Sequence, residues 1–306
     1  MIGINNIGIF VPDEKIDTSA RAKNIGLDEN FVSNKIGVEH LSIFENITIP
    51  DACNFAFEDL LSKTDLDISS IDCIVLCTQN PDFNGLPHNS ALIQSKIGAG
   101  THAACFDIGL GCSGYVHSLS IIKAFMEGNG FKNGLLFTCD PYSKIINEED
   151  KNTALLFGDA ATVTLLNNSP KYTIEQTSFF TDGKNHANII NDNGTFVMNG
   201  RQVYNFVMSE VPKQIKQLLS DNKIEDKNID MYLLHQGSKF MVQSASRKIT
   251  DDISKVPFDI KSTGNTVSSS IPLLFSKFFQ QDQKNIIVCG FGVGLSISTA
   301  LLKQTK

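Results

Sequence analysis

The chain has 306 residues, of which 42% are hydrophobic and 19% are charged, so it has enough apolar side chains for a large globular core. Its 33 acidic residues outnumber its 26 basic residues, and the net charge of −7 excludes a general attraction to nucleic acid or to an anionic membrane. The seven cysteines form no CxxC pair, which argues against a disulfide framework or a zinc site.

The N-terminal sequence and the cysteine pattern together predict the cellular compartment of the protein. Residues 1–12 alternate like a β-strand and lack the basic start and long apolar run of a signal peptide. No run approaches the ~20 apolar residues of a membrane span. An odd number of irregularly spaced cysteines is typical of a reducing compartment. We therefore expect a cytoplasmic protein.

In the first half of the chain, apolar runs alternate with helical patterns. We expect strands at 2–10, 71–79, 104–108 and 135–140. We expect helices at 19–35 (broken near Gly26, with Asp28 as a cap), from Pro50, at 90–97 and after Cys112. Residues 80–88 predict a loop, and residues 154–167 predict a hairpin or bent strand around Gly158 and Asp159.

The second half repeats this alternation. We expect strands around 172–179, 194–198 and 231–236, two strands within 286–302, and helices at 203–220, after Ser238 and from about Ser268. Such alternation predicts α/β layering with mostly parallel strands. Because residues 1–168 and 169–306 have a similar order of elements, we expect two halves of one duplicated fold.

Residues 105–119 predict a buried strand, a turn with glycines and the start of a helix, with Cys112 where the helix begins. A thiol at a helix N-terminus faces unpaired N–H groups and the positive end of the helix dipole. Both favour the thiolate, which is the nucleophilic form of cysteine. We expect Gly109, Gly111 and Gly114 to leave room for an acyl group. The alternative is a structural cysteine, since free cysteines are often simply buried.

His235 and Asn265 are the other candidate catalytic groups. His235 follows an apolar run, and Asn265 lies in a glycine-containing turn. Active groups of open α/β sheets collect just beyond the carboxyl ends of the strands. Each residue also has an ordinary role, the histidine as a hydrogen-bonded core residue and the asparagine as a turn residue. The three candidates together favour one shared site.

The chain resembles β-ketoacyl-acyl-carrier-protein synthase III, a family of thiolase-fold condensing enzymes. The motifs occur in the family's order: GCSG around Cys112, FGDAA at 157–161, LLHQ ending in His235 and Gln236, GNT at 264–266, SIP at 270–272 and GFGVGLS at 290–296. NKIGVEH at 34–40 also fits, so the resemblance covers essentially the whole chain. It implies an α/β, thiolase-like, duplicated αβαβα layered fold with mixed five-stranded sheets. The cysteine would lie in half 1–168, and the histidine and asparagine in half 169–306.

The resemblance also implies a reaction. Cys112 is expected to take an acyl group from a thioester and to condense it with malonyl-acyl carrier protein after loss of carbon dioxide. The backbone amides of Cys112 and Val293 are expected to form the oxyanion hole. His235 and Asn265 are expected to donate hydrogen bonds to the enolate oxygen. No metal or redox cofactor is implied.

The family's substrate sites imply further residues. Phe31 and Lys151 stand where members hold the adenine of coenzyme A between a tryptophan and an arginine, and this chain has no tryptophan. Gln236 and Ser238 are expected near the pantetheine arm, and Leu86 at the acyl tunnel of a neighbouring subunit. These departures suggest a weaker grip on coenzyme A or a carrier-borne primer, and a specialised pathway.

Basic residues near one helix imply a docking site for the carrier protein. Lys239, Arg247 and Lys248 are expected to contact the acidic carrier, although the same charges fit an ordinary solvated helix face. The expected partners are an acyl-coenzyme A or acyl-carrier thioester, malonyl-acyl carrier protein and a second copy of the chain in a homodimer. No nucleic-acid or membrane partner is expected.

Three other interpretations stay open. An acyltransferase would pass the acyl group from Cys112 to an alcohol or amine, but the intact Asn265 favours condensation. A papain-like hydrolase has cysteine, histidine and asparagine in the same order, yet its cysteine is not expected inside an α/β repeat. A non-catalytic partner subunit would be marked by loss of the nucleophile, and Cys112 is present.

Overall fold

The computed structural model describes residues 1–305. Its helices are α1 (Thr18–Asn24), α2 (Glu29–Phe31), α3 (Ile49–Leu61), α4 (Asn89–Ile97), α5 (Gly114–Asn129), α6 (Gly200–Asp221), α7 (Lys239–Ile249) and α8 (Ser270–Phe278). Its strands are β1 (Gly3–Phe10), β2 (Lys15–Asp17), β3 (His40–Ser42), β4 (Cys73–Cys77), β5 (Ala104–Ile108), β6 (Asn133–Cys139), β7 (Ala161–Asn167), β8 (Tyr172–Thr181), β9 (Ile189–Asp192), β10 (Thr195–Met198), β11 (Met231–Leu234), β12 (Asn285–Gly292) and β13 (Ser296–Gln304).

Nine strands form one sheet in the order β11-β12-β13-β8-β1-β7-β6-β4-β5. The first half contributes β5-β4-β6-β7-β1 and the second half contributes β11-β12-β13-β8, so the same order and strand directions occur twice. The halves join where Gly3 and Ile4 of β1 pair with Thr173 and Tyr172 of β8. This internal repeat supports the predicted duplication, and the boundary at residues 168/169 stays a prediction.

The sheet is mixed, as the resemblance implied. Only the pairs β4–β5, β4–β6 and β11–β12 are parallel, so the expectation of mostly parallel strands is wrong. The other neighbours are antiparallel because β7 and β13 each run back beside the preceding strand. Among residues 1–305 the second half has four strands of this sheet, since its counterpart of β5 is a turn before α8.

Alternating side chains bury both faces of the sheet. In β4, Ile74 and Leu76 pack into one apolar cluster with α3 and α4, and Cys73 and Val75 pack into another with α5 and α8. The second half buries its outer face against α6 and α7, where Ile287 of β12 packs. Helices and sheet halves therefore form αβαβα layers, which confirms the expected fold class. The shared layer of α5 and α8 brings the two helix N-termini together from opposite halves.

Most expected elements form near their predicted positions. Asp28 caps the segment at 29–36, where α2 continues as a π-helix, and its side chain accepts a hydrogen bond from the Phe31 N–H at 2.7 Å. The short strands β2, β3 and β9 were missed, whereas β10 forms at the strand expected around 194–198. The expected hairpin at 154–167 is wrong, because only β7 forms and residues 154–160 make turns.

The turn at 156–158 joins the two halves. The Asn265 N–H donates to the Leu156 carbonyl at 2.7 Å, and the Gly158 N–H donates to the Asn265 carbonyl at 3.1 Å. A Cβ at Gly158 would lie 1.9 Å from the Thr263 carbonyl oxygen. The backbones thus approach so closely that only glycine fits. The hairpin was a wrong expectation because this segment bonds to the Asn265 turn instead of to itself.

We expect Gly158→Ala to lower the free energy of unfolding by about 2–3 kcal/mol, because the added methyl overlaps backbone atoms that cannot rotate away. Urea unfolding followed by circular dichroism measures the change. Gly128→Ala is the matched control, since a Cβ there meets nothing within 4 Å. That control is expected to be neutral or to stabilise α5 by up to about 1 kcal/mol. Equal stabilities for the two variants would contradict the close-contact argument.

Candidate active site

Cys112 lies in the turn between β5 and α5, two residues before the helix begins, and it is 7% exposed. The C-terminal end of β12 packs directly against Cys112. A Cβ on Gly292 would lie 2.8 Å from the Cys112 sulfur, and a Cβ on Gly290 would lie 2.6 Å from its carbonyl oxygen. These two glycines of β12 therefore let the strand backbone approach the nucleophile turn.

The glycines around Cys112 have a different role from the expected one. A Cβ on Gly111 would overlap the side-chain oxygen of Gln79, and a Cβ on Gly114 would overlap the sulfur of Cys77. These two glycines therefore make room for protein side chains and not for an acyl group. A Cβ on Gly109 meets nothing within 4 Å.

His235 directly follows β11 and is buried. Its Nδ1 lies 2.7 Å from the Ser270 hydroxyl oxygen, which is 3.5 Å from the Gln236 N–H. A serine oxygen that accepts from this N–H can donate its own proton to Nδ1, which favours the tautomer with the proton on Nε2. Burial lowers the pKa of His235 to about 3, with the Val267 backbone acting in the opposite direction, so the ring is neutral at physiological pH.

The Asn265 side chain is held in one orientation. Its Oδ1 accepts a hydrogen bond from the Val267 N–H at 2.9 Å, so Nδ2 is the group left to donate elsewhere. Val267 is fully buried and has a φ of +53°, a conformation that a β-branched residue adopts only when its surroundings impose it. The residue whose N–H holds the Asn265 side chain therefore has a strained backbone.

Cys112, His235 and Asn265 line one small pocket of about 60 Å³. The structure therefore brings together the three candidates that lie far apart in the sequence. Ser238 and Val293, two other predicted site residues, also line this pocket. Most of the remaining wall is apolar and was not predicted: Tyr142, Leu156, Phe157, Ile189, Phe196, Met198, Val203, Met241 and Phe291.

Burial opposes the thiolate form that the position of Cys112 near a helix N-terminus was expected to favour. Burial, together with the charge of Asp140, raises the pKa of the Cys112 thiol to about 12. The backbone amides of Val293 and Cys112 act in the opposite direction, and they do not outweigh the loss of water. The resting site therefore contains a protonated thiol and a neutral imidazole.

Asp140, at the end of β6, is a buried carboxylate that sequence reasoning missed. It accepts hydrogen bonds from the Gln79 N–H at 2.7 Å, the Thr78 hydroxyl at 3.2 Å and the Ser268 N–H at 3.4 Å. Burial raises its pKa to about 6, and these hydrogen bonds lower it. Asp140 thus connects the end of β4 to the turn that carries Asn265. Its place at the end of an apolar strand was the available signal.

Ser296 holds the bend at Val293–Leu295 in place. Its hydroxyl donates to the Val293 carbonyl at 2.8 Å and lies 2.7 Å from the Ser113 hydroxyl. The bend is thereby connected to the residue that follows Cys112. This contact explains how the Val293 amide is held near the sulfur, where it favours the thiolate.

The remaining predicted substrate residues lie outside the pocket. Gln236 is buried, and its amide bonds to the backbone of Leu234 at 2.8 Å and of Asp259 at 3.0 Å. The expected contact of Gln236 with substrate is therefore wrong, because its amide is used to hold the backbone around it. Leu86 is 86% exposed in the loop before α4.

Two other predicted residues lie near a second groove. Phe31 is half-buried, and the exposed Lys151 lies close to Gly26, just before the helix that carries Phe31. Lys239 lines the groove beside this helix, and its Nζ donates to the Ser33 carbonyl at 3.0 Å.

The predicted docking residues separate into two places. Arg247 and Lys248 line a groove between α6 and α7 together with Lys213 and Lys216, which sequence reasoning missed. Lys239 lies elsewhere, in the groove beside α2. The three residues therefore line two separate grooves.

The part of the chain that the structure describes has neither a metal-binding cluster nor a membrane-spanning helix. Residues 1–305 contain no cluster of three or more His, Cys, Asp or Glu side chains that would hold a metal ion. No helix within these residues has the length and apolar character needed to cross a membrane.

Family models match two parts of the chain. Residues 106–183 match the family 3-oxoacyl-[acyl-carrier-protein (ACP)] synthase III, and residues 219–304 match its C-terminal region. Proteins named β-ketoacyl-[acyl-carrier-protein] synthase III from Streptococcus agalactiae and Streptococcus pneumoniae are each 28% identical to this chain, over 98% of both lengths.

Solved structures give the same result. A crystal structure of 3-oxoacyl-(acyl-carrier-protein) synthase III is 28% identical, covers 99% of both chains and has a TM-score of 0.92. A crystal structure of 3-oxoacyl-[acyl-carrier-protein] synthase III from Aquifex aeolicus is 23% identical, covers 99% of this chain and 100% of its own, and has a TM-score of 0.93, which bears on the fold alone.

We expect Asp140→Asn to raise the alkylation rate of Cys112 by iodoacetamide at about pH 8 by about tenfold, since removing a nearby anion lowers the thiol pKa and each unit changes the thiolate fraction tenfold. In the unmodified protein the rate should rise with pH up to at least about pH 10. Peptide mass spectrometry measures the rate at Cys112. Asp159→Asn, at another buried carboxylate, is the matched control and should leave the rate unchanged. A slower or unchanged rate in Asp140→Asn would contradict the assigned charge effect.

Proposed function

The chain belongs to the 3-oxoacyl-[acyl-carrier-protein] synthase III family, and from this premise we propose that Cys112, His235 and Asn265 are its catalytic residues. It is a condensing enzyme that joins an acyl primer to malonyl-acyl carrier protein and gives a β-ketoacyl product. The observation that carries the proposal is the single pocket lined by these three side chains from both halves of the fold.

The first step is acylation of Cys112. Its sulfur attacks the carbonyl carbon of an acyl thioester, the new acyl–sulfur bond forms, and the bond to the leaving thiol breaks. The thiol proton ends on the leaving group, so the step needs no outside acid or base. The Cys112 and Val293 amides, which favour negative charge on the sulfur, support the same role toward the tetrahedral oxyanion.

The second step is decarboxylative condensation. The malonyl thioester loses carbon dioxide, and its electron pair moves to the thioester oxygen as an enolate. Asn265 Nδ2 and the protonated Nε2 of neutral His235 donate hydrogen bonds to that oxygen. The enolate carbon attacks the acyl carbonyl carbon, Cys112 leaves as a thiolate and takes up one proton. The route balances without an oxidant or a reductant.

The fixed orientation of Asn265 favours condensation over simple acyl transfer. An acyltransferase has no enolate to stabilise and no need for a buried amide that points its N–H groups into the pocket. In this chain Oδ1 is occupied by the Val267 N–H, and the strained backbone of Val267 maintains that arrangement.

Coenzyme A and pantetheine binding remain proposals. The groove beside α2 extends from Lys239 past Ser33 and Glu29, next to the helix that carries Phe31. We propose that Phe31 and Lys151 contact the adenine of a coenzyme A primer there. Ser238 caps α7 through its Oγ, which accepts from the Met241 N–H at 3.3 Å, and it borders the pocket where the pantetheine arm would enter.

A basic groove supports docking of malonyl-acyl carrier protein. Lys213 and Lys216 on α6 face Arg247 and Lys248 on α7, so four cations line one surface of an otherwise acidic protein. Complementary charge increases the rate of encounter with an acidic partner. Lys239 is less suited to this role because it lines the separate groove beside α2.

A homodimer is supported by the free edge of the sheet. Among the described strands β5 pairs only with β4, and its Phe106 packs edge-on against Phe125 at 5.2 Å between ring centroids. Exposed Ile121 on the neighbouring α5 adds apolar surface. A second copy that pairs with β5 would cover this edge, which open sheets otherwise leave as an aggregation risk.

A cytoplasmic location is also proposed. All seven cysteines are free thiols in the structure, six of them buried. Persistent free thiols are typical of a reducing compartment.

We expect Asn265→Ala to keep acylation of Cys112 within about threefold and to lower malonyl-carrier decarboxylation by about 100-fold or more, since it removes one donor to the developing oxyanion. Intact-protein mass spectrometry after incubation with acyl thioesters measures acylation, and carbon dioxide release measures the second step. Cys112→Ala is the control that should show no acyl adduct. Release of carbon dioxide at the normal rate by acylated Asn265→Ala would refute the assigned role.

We expect Lys216→Glu combined with Arg247→Glu to raise KM for malonyl-acyl carrier protein by about tenfold with kcat unchanged, because the reversed charges repel an acidic carrier. With malonyl-coenzyme A as the extender, the same variant should match the unmodified enzyme. Lys284→Glu combined with Lys303→Glu, at two exposed lysines outside the groove, is the charge-matched control. An equal rise in KM for both extenders would contradict carrier docking at this groove.

A further inference from the structure

A buried carboxylate lies between the two halves of the site. We infer that Asp140 is a positioning residue for the condensation step, because its carboxylate holds the backbone turn that orients Asn265. The inference rests on the proposed roles of Cys112, His235 and Asn265. Asp140 is fully buried and does not line the pocket that contains these three residues, so it would act through the protein and not by touching substrate.

Both oxygens of the Asp140 carboxylate accept hydrogen bonds, and the donors come from different halves of the chain. Oδ1 accepts from the Gln79 N–H at 2.7 Å and from the Thr78 hydroxyl at 3.2 Å, at the end of β4. Oδ2 accepts from the Ser268 N–H at 3.4 Å, in the turn before α8. An ionised carboxylate can accept on both oxygens without presenting a donor of its own. The charged form of Asp140 therefore joins the two halves.

Ser268 follows the strained residue that contacts both enolate donors. The Val267 N–H donates to Asn265 Oδ1 at 2.9 Å. Burial lowers the pKa of His235, and the Val267 backbone acts in the opposite direction, so this backbone also lies next to the imidazole ring. A shift of Val267 would therefore misplace both groups that are proposed to stabilise the enolate.

Contacts from the first half of the chain hold the turn on each side of Val267. Residues 156–158 bond to the backbone of Asn265, before the strained residue. The Asp140 carboxylate bonds to the N–H of Ser268, after it. The φ of +53° at Val267 persists only where the surroundings impose it. The carboxylate therefore contributes to keeping Val267 in the conformation that orients the asparagine.

An amide in place of the carboxylate would disturb the turn selectively. Asparagine has nearly the same shape as aspartate but only one acceptor oxygen. That oxygen is better placed toward β4, where two donors lie, so the NH₂ group of Asp140→Asn would face the Ser268 N–H. Two donors in contact repel each other and leave a buried N–H without an acceptor, which is costly. The loss would fall on the Asn265 turn.

The charge of Asp140 acts in the opposite direction on the nucleophile. Burial raises the pKa of the Cys112 thiol, and the Asp140 charge raises it further. Removing the charge should therefore favour attack by Cys112 at the same time as it slows condensation. A merely structural role predicts instead that both steps slow, because a loosened pocket would affect each of them.

The test measures the two half-reactions of Asp140→Asn separately by intact-protein mass spectrometry at about pH 8. Cys112 is acylated with acetyl- or butyryl-coenzyme A, whichever acylates the unmodified enzyme faster, and the acyl-enzyme is then discharged with malonyl-pantetheine. We expect acylation at least as fast as in the unmodified enzyme and discharge slower by about tenfold, since a small misplacement of a reacting group costs this much. Thr78→Val is the matched control, because it removes a donor to the same carboxylate on the side away from Ser268 and should leave both rates close to their original values.

A second measurement needs no substitution and decides the matter if Asp140→Asn folds poorly. Burial raises the pKa of Asp140 to about 6, so the carboxylate gains a proton and stops accepting on both oxygens as the pH falls through that value. The titratable groups that its charge reaches are Cys77, Cys139, Tyr142 and the acylated Cys112, and burial raises the pKa of the two thiols and the phenol, so they stay uncharged. Malonyl-pantetheine has no phosphate that would titrate. Discharge of preformed acyl-enzyme should therefore slow by about fivefold between about pH 8 and about pH 5, where about a tenth of the carboxylates stay ionised.

The outcomes separate this inference from the proposed function. Normal discharge by Asp140→Asn, an equal loss in both half-reactions, or a pH-independent discharge by the unmodified acyl-enzyme would overturn the positioning role alone. Failure of every primer to acylate Cys112, or normal discharge by acylated Asn265→Ala, would overturn the proposed function and the positioning role with it.

Discussion

The site depends on one backbone contact between the two halves of the chain. Residues 156–158 and the turn at Asn265 exchange two hydrogen bonds, at 2.7 and 3.1 Å, across more than 100 residues of sequence. Gly158 allows this contact because any Cβ would overlap the Thr263 carbonyl. Without this approach Asn265 would not reach the pocket of Cys112, which belongs to the other half. The backbone contact between the two halves is therefore made by the FGDAA motif on one side and by the GNT motif on the other.

The duplicated topology gives equivalent positions different tasks. The end of β4 carries Thr78 and Gln79, whereas the equivalent strand β11 is followed by His235. Helix α5 begins beside Cys112, and its counterpart α8 begins at Ser270, whose hydroxyl meets His235. One half thus supplies Cys112, and the other supplies His235 and Asn265, to the same pocket. Because α5 and α8 lie in one shared layer, the N-termini of these two helices are next to each other.

Burial determines the electrostatics of the site. The same loss of water that raises the pKa of the Cys112 thiol lowers the pKa of His235, so both groups are uncharged at rest. A neutral imidazole and an amide are suitable donors to an enolate because they stabilise developing charge without a fixed countercharge. Asp140 adds a buried anion that opposes a premature thiolate. The thiol therefore becomes nucleophilic only as its proton is transferred during acylation.

The sequence by itself determined the family, the α/β alternation and the three residues that meet in the pocket, because Cys112, His235 and Asn265 lie in local motifs that a short stretch of chain defines. It could not give the packing of remote side chains. Tyr142 lay in a polar connecting segment, and Asp140 looked like the end of a strand; only the fold sets them beside Gln79 and the thiol. The hairpin expected at 154–167 failed for the same reason, since its partner is the distant Asn265 turn. Local pattern identifies elements and reactive groups, whereas long-range backbone contacts and burial decide the protonation and the orientation of those groups.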